Sequence, residues 1–234
     1  IMASSYSTDL QLELMATGEK AGLWGDITNT NLNILQQAIA GYEAVAFTGS
    51  DVTLDFTNGV ISNGKNATLL LSGTLSANVN CIVPDSIEKI YQVNNSCVMG
   101  VYTLTFKTAT GTGVNLAQGN RYTLYSDGTN VNLIQTEQVW RTVSATATIQ
   151  PGSAILANTN GGAITITLPA SPSAGDTCSF IDQGYDFNTN ALTIGRNSSN
   201  IANAAADLTI NTQGAGFSLV YSGDATTGWT YKEK

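Results

Sequence analysis

Beyond residue 42 the sequence breaks into short runs of alternating apolar and polar residues, most of them beginning 9–16 positions after the last, bounded by Gly, Asn, Asp, Ser or Pro. Such runs can bury one face of a pleated strand but are too short to lay a stable amphipathic helix on a core. The first set is 45–49, 51–57, 67–73, 79–84, 89–95, 102–108, 122–128 and 131–136. The second is 142–149, 163–169, 178–184, 191–196, 207–212, 217–223 and 228–233. Leu104 with Phe106, and Ile164 with Ile166, carry the period of two. With no helical pattern between them, these runs predict an all-β body.

The body contains an internal repeat. Segment 102–134, "YTLTFKTATGTGVNLAQGNRYTLYSDGTNVNLI", lies on segment 191–233, "ALTIGRNSSNIANAAADLTINTQGAGFSLVYSGDATTGWTYKE". Each runs strand, Gly/Asn loop, Gln-Gly turn, aromatic strand ending in Tyr-Ser, turn, last strand. Upstream, "GTLSANVNCIVPD" at 73–85 is placed opposite "LPASPSAGDTCSFID" at 168–182. The expected organisation is an N-terminal module over 1–48, a β-module over 49–136, a linker over 137–141 holding Trp140, and a second β-module over 142–234. The expected architecture is mainly β: a short N-terminal helix followed by two tandem antiparallel modules of the β-sandwich or β-prism kind. Repeated modules of this type tend to stack end to end.

The N-terminal segment differs. "DLQLEL" at 9–14 puts Leu10, Leu12 and Leu14 at strand spacing, and "TGEKAGLWG" reads as a turn. A helix follows, capped by Thr28 or Thr30, with Leu32, Leu35, Ile39 and Tyr42 at spacings of three, four and three, an a/d seam. No charged residue lies between Thr28 and Gly41, although a solvated helix usually carries Glu–Lys pairs. The helix therefore either faces protein on most sides or packs back on its own sheet. Met2, after an initial Ile, is expected at or near the natural start, and no secretory leader is expected over 1–16.

Charge and composition exclude several functions. The net charge is −8, with nine Lys and Arg scattered along the chain, so no basic stripe can track phosphates. No apolar run reaches membrane-spanning length, so no membrane insertion is expected. There is no histidine, which removes Ser-His-Asp and Cys-His catalysis and His-based zinc sites. No metal or cofactor is expected, and "GTGVNLAQG" reads as loop glycine rather than a phosphate cradle. Cys81, Cys97 and Cys178 are expected as buried free thiols, with a Cys81–Cys97 pair the alternative. The sequons at 66–68 and 197–199 read as coincidences of an Asn-rich chain. Two carboxylate pairs at spacing four, Asp51/Asp55 and Asp182/Asp186, are the sole material for a glycosidase and read better as turn-capping residues. Aromatic residues in loops are the remaining binding candidates: Tyr185, Phe187, Tyr221 and Trp229. Trp229 alternatively caps the core.

Residues 6–42 resemble the N-terminal module of structural and tail-fibre proteins of tailed bacteriophages, marine and cyanobacterial ones especially. The resemblance rests on Gly18, Glu19, Gly22, Trp24 and Gly25, then Thr28 to Leu32, then Gln37 to Ile39. The pattern from Ile166 to Trp229 also looks like a module common in phage fibre proteins. The chain departs from long fibres in having no extended coiled-coil or β-helix shaft. The resemblance implies a homotrimeric, non-enzymatic virion fibre, made in the host cytoplasm. Residues 1–48 would seat on a phage tail or capsid protein, with Leu32, Leu35, Ile39 and Tyr42 meeting their counterparts in the trimer and Trp24 either packing under the helix or plugging into a tail component. The β-modules would present a surface to a host receptor, a glycan among the options. A capsid decoration or adaptor protein, and a tail-borne polysaccharide hydrolase, are the competing readings.

Overall fold

A computed structural model of the chain describes residues 3–233; the start expected at Met2 lies outside the described residues. The protein is mainly β with one α-helix, and its chain winds as a β-solenoid. Two compact units result. One comprises the chain up to Leu116 with Arg121–Glu137, the other Ala117–Asn120 with the chain from Gln138 onward. Residues 138–141 of the expected linker thus belong to the second unit.

A small arm, β1 (Ser5–Tyr6) paired with β2 (Glu13–Leu14), leads into α1 (Trp24–Ala40). The first unit continues with β3 (Tyr42–Ala46), β4 (Val52–Thr53), β5 (Thr68–Ser72), β6 (Val79–Val83), β7 (Glu88–Asn95), β8 (Leu104–Thr108), β9 (Gly113–Asn115), β10 (Arg121–Asp127) and β11 (Val131–Glu137). The chain alternates between two sheets as it climbs. β3, β5 and β7 run parallel in one sheet, and β4, β6 and β8 run parallel in the other. The last coil turns back: β9 pairs antiparallel with β8, and β10 and β11 extend the first sheet antiparallel.

The second unit repeats this order strand for strand. It consists of β12 (Trp140–Val143), β13 (Ala147–Thr148), β14 (Ala154–Ala157), β15 (Ile164–Thr167), β16 (Thr177–Asp182), β17 (Leu192–Gly195), β18 (Leu208–Ile210), β19 (Gly216–Tyr221) and β20 (Trp229–Glu233). β12, β14 and β16 are parallel, with β19 and β20 closing antiparallel; β13, β15 and β17 are parallel, closed by β18.

Two parallel-coiled solenoid units therefore replace the expected antiparallel sandwich or prism. Period-two alternation marks a half-buried strand but does not record its direction. In both architectures one face meets a core and the other meets water. Direction is set by whether the next run pairs beside its predecessor or crosses to the facing sheet, and here it crosses. The same shift corrects the upstream alignment, because Cys81 lies on β6 whereas Cys178 lies on β16, the counterpart of β7. β9 and β14 are strands that the sequence pattern did not single out.

Inward residues stack in ladders. Leu69, Val93 and Tyr122 are registered neighbours across β5, β7 and β10, as are Ile155, Phe180 and Phe217 across β14, β16 and β19. Facing them are Cys81 with Phe106, and Ile166 with Ile194. All three cysteines are buried thiols, and burial raises the pKa of each, Cys97 to about 11.

Two lysines are also buried in the first unit. The Lys65 ammonium donates to Thr57 O and Val60 O at 2.7 Å each, tying down a surface loop. The Lys89 ammonium donates to Asn66 O at 2.7 Å and Ile90 O at 3.2 Å, and sits 4.0 Å from the centroid of the Tyr91 ring. Burial pushes Lys89 down to about 8. Between pH 8 and the ordinary lysine value of 10.5 the folded chain then holds fewer protons than the unfolded one. The Lys89 contribution to stability therefore rises with pH across that window. The buried thiols act against it, because their raised pKa values leave the folded chain holding more protons than the unfolded one above the ordinary thiol value of 9.0. In thermal melts the difference between wild type and Lys89→Met, which cancels the thiols, should shift in favour of the wild type as pH rises from 8 to 10.5. A difference that does not change with pH would assign Lys89 no such role.

Candidate functional site

The geometry of α1 decides which N-terminal side chains are free. The helix starts at Trp24, four residues before the expected cap, with Leu23 as N-cap and no side-chain cap bond. Asp26 sits in the first turn, where its charge complements the helix N-terminus. Thr28 and Thr30 therefore lie inside the helix, and Thr30 Oγ1 bonds back to Asp26 O at 2.9 Å. Trp24 is the first helical residue rather than part of a Gly-flanked turn, and Tyr42 lies on β3.

The helix has two apolar faces. Ile27, Ile34 and Ala38 share one face with Asn31, at spacings of four, three and four, and Ile34 is the one fully buried residue of the helix. The expected seam is the other face. Leu32 is 56% exposed and Ile39 79%, while Leu35 is half-buried between the faces. Trp24 and Tyr42 are 64% and 59% exposed. Tyr42 and Ile61 border a groove of about 320 Å³ with Asn33, Gln36, Gln37 and Asn66, where Gln37 Oε1 is buried without a partner. The arm adds Tyr6 and Leu14 to the exposed apolar set. Of the exposed large apolar side chains among the described residues, only Trp140, Ile181 and Tyr185 lie in the second unit.

The arm is stapled to the helix. Asn31 accepts from Glu13 N–H at 3.0 Å and donates to Glu13 O at 2.9 Å. Glu19 accepts from Ala16 N–H and from the Ser4 N–H and hydroxyl, and Glu13 pairs with Lys20 at 3.0 Å. The hydrogen bond from Ala16 lowers the Glu19 pKa most, and the bonds from Ser4 and Lys20 lower that of Glu13.

The receptor candidates separate sharply. Tyr185 is 65% exposed, at a left-handed φ of 55° in the loop after β16. Phe187, expected as a surface contact, is instead a fully buried core residue, and Trp229 is fully buried as well, as its alternative reading had it. Phe187 enters the core from the loop after β16, and Trp229 from the first position of β20. Tyr221 is half-buried and packs on Trp229, with ring centroids 5.5 Å apart. Tyr185 thus stands without its three aromatic companions.

The loop that carries Tyr185 is organised by Asp182, which is 1% exposed. Its carboxylate accepts backbone N–H bonds from Asp186, Phe187 and Gly214, at 2.9–3.2 Å. That role occupies one member of the Asp182/Asp186 pair. Asp51 is bound by Asn80 through backbone and side chain, and Asp55 by the Thr57 hydroxyl. Sequence reasoning considered Asp182 as a carboxylate and missed it as the clamp of two loops. Its place at an inward strand position, before "QGYDFN", is the signal that would have shown this. A further groove of about 370 Å³ lies among Ile210, Thr212, Ala215, Gly216, Phe217 and Tyr231. Among the described residues no group of three or more His, Cys, Asp or Glu is placed to hold a metal ion, and no helix is long and apolar enough to cross a membrane.

No family model and no curated protein matches the chain. A solved structure described as "Structure of a chaperone-substrate complex" shares 15% identity with it, at a TM-score of 0.39. The likeness covers 81% of this chain, which spans 35% of that one.

Two outcomes follow from this geometry. Acid should release the arm before it unfolds either core. The Glu13 and Glu19 carboxylates have lowered pKa values, so their contribution is present above the ordinary carboxyl value and is lost progressively below it, as pH falls through the lowered values. Proteolysis confined to residues 3–20 should appear below about pH 4; a uniform onset of cleavage would count against the staple. Asp182→Ala should destabilise the chain by about 2–4 kcal/mol in denaturant melts, because three backbone donors lose their acceptor.

Proposed function

We propose that the chain is a virion fibre protein of a tailed bacteriophage, fixed to the particle through its N-terminal part and displaying its β-units toward the host surface. The carrying observation is the exposed face of α1. Trp24, Leu32 and Ile39 point away from a helix already seated through Ile34, and Tyr42 adds a fourth exposed side chain just beyond it. Burying one such side chain contributes about 1.5–3 kcal/mol. Leaving these four in water while both cores are filled is the economy of a protein that meets another protein there. The resemblance of residues 6–42 to phage N-terminal modules supplies the identity of the setting. The skew of exposed apolar side chains toward the first unit supports attachment at that end.

In this reading the chain is a homotrimer, with Leu32, Leu35 and Ile39 facing their counterparts, and works without catalysis. Three weak receptor sites per fibre, and several fibres per particle, would multiply a modest affinity. The engagement of Asp51, Asp55 and Asp182 in structural hydrogen bonds supports a binding role over the hydrolase alternative. A decoration or adaptor protein would use the same N-terminal face without receptor contact.

Sedimentation and cell binding test this together. The full-length chain should sediment as a trimer, and Leu32→Asp with Ile39→Asp should yield monomers whose melting temperature changes little, because neither side chain is part of a core. Trimers should coat host cells far better than the monomeric variant. A wild-type monomer would sink the fibre reading, and a trimer that binds no host cell would favour the adaptor.

A further inference from the structure

Because the two units share their topology, each position in one has a counterpart in the other. The final hairpins carry the same bulge, between Thr123 and Leu124 in one and between Ser218 and Leu219 in the other. Following the ladders from there matches Val93 with Phe180, Leu69 with Ile155, and Glu43 with Arg141. Gly41 is then the counterpart of Val139, Asn66 of Gly152, and Lys89 of Asp176.

The first strand of each coil, β3 or β12, is an edge strand, so the polar backbone around its start needs other partners. In the second unit Asn120 provides them. It is fully buried and ends the Ala117–Asn120 corner that belongs to this unit. Its Nδ2 donates to Gly152 O at 2.9 Å, and its Oδ1 accepts from Val139 N–H at 3.1 Å. In the first unit the same two backbone groups are Asn66 C=O and Gly41 N–H. Asn66 O accepts from Lys89 Nζ at 2.7 Å, and Gly41 N–H donates to Gln37 O, near the C-terminus of α1, at 2.8 Å. Gln37 O also accepts from Ala67 N–H at 3.1 Å. Donor stands for donor and acceptor for acceptor: one side-chain amide is replaced by a buried ammonium and a helix carbonyl. Gly41 is forced by the fit, since a Cβ there would lie 2.3 Å from Gln37 O and 2.4 Å from Asn66 Oδ1.

We propose that α1 and Lys89 together form the closing piece of the first unit, standing where the second unit uses a Gln-Gly-Asn corner, and that they shut this edge against the corner of a second copy. The other half of such a contact is missing too. The repeat places Thr212–Gln213–Gly214–Ala215 opposite Ala117–Gln118–Gly119–Asn120, and Ala215 has no amide with which to bridge a neighbour's backbone. Head-to-tail growth from copy to copy is thus blocked at both surfaces, and association is left to the outer face of α1.

Backbone amide exchange in the full-length chain tests this. Ile34→Asp, or Thr30→Pro, which interrupts α1 without touching a core, should speed exchange at Gly41 and Ala67 at least tenfold and leave Val139 unchanged. Asn120→Ala should do the reverse, opening Val139 and sparing Gly41. If α1 is lost by circular dichroism while Gly41 and Ala67 stay protected, the helix is not the closing piece. Sedimentation of a chain carrying Thr30→Pro and Ala215→Asn should show concentration-dependent chains of copies that neither single variant forms. Equal self-association of the wild type end to end would overturn the block.

Discussion

A coil of parallel strands satisfies every backbone group except those on its first and last turns, so the physics of a short solenoid is the physics of its ends. Each unit here has only three parallel turns, and a large share of its backbone lies at an end. The last turn is handled alike in both units, by reversing into antiparallel strands: β9, β10 and β11 in one, β18, β19 and β20 in the other. The first turn is handled differently, and that difference accounts for much that is unusual in the first unit: the helix, the glycine that joins it to β3, and a lysine under the sheet.

Lys89 illustrates how an end condition propagates inward. An ammonium in an apolar layer loses much of its hydration, and its lowered pKa records that cost. It remains because Asn66 O needs a donor and Tyr91 offers its ring face. The second unit takes its donor from Asn120 and has Asp176 at the lysine's counterpart position. The two units are therefore one topology under two boundary conditions.

The sequence carried the β class and the repeat, because these rest on local periodicity and on turn residues such as "QGN" and "DGTN". It did not carry strand direction. Alternation in "YTLTFKT" is the same whether Leu104 and Phe106 pair with a parallel or an antiparallel neighbour. Nor did it carry the inward face of α1, since Ile34 and Ala38 compete with Leu32 and Ile39 for the same helical period. Phe187 was misread because its neighbours Gly184, Asp186 and Asn188 look like solvent-facing loop, whereas the side chain is buried in the core; Trp229 took its alternative place there. Asp182 was weighed as half of a carboxylate pair at spacing four and read as turn-capping; its three backbone donors, two in its own loop and one from Gly214, extend that structural role to a second loop.

The two faces of α1 tie the end condition to the proposed role. A helix used only to close a coil would be polar outside, as terminal caps of repeat proteins are. Here the outer face keeps Trp24, Leu32 and Ile39, with no charged residue from Thr28 to Ala40. One face closes on the first turn through Ile34, and the other is left exposed for the association proposed above. Coupling the two in one helix means that the contact surface is held by the coil itself through Ile34, Gln37 and Gly41 rather than by a flexible tether. Gln37 O joins the helix to the backbone at Gly41 and Ala67, so the exposed face is tied to the β-ladders by backbone hydrogen bonds.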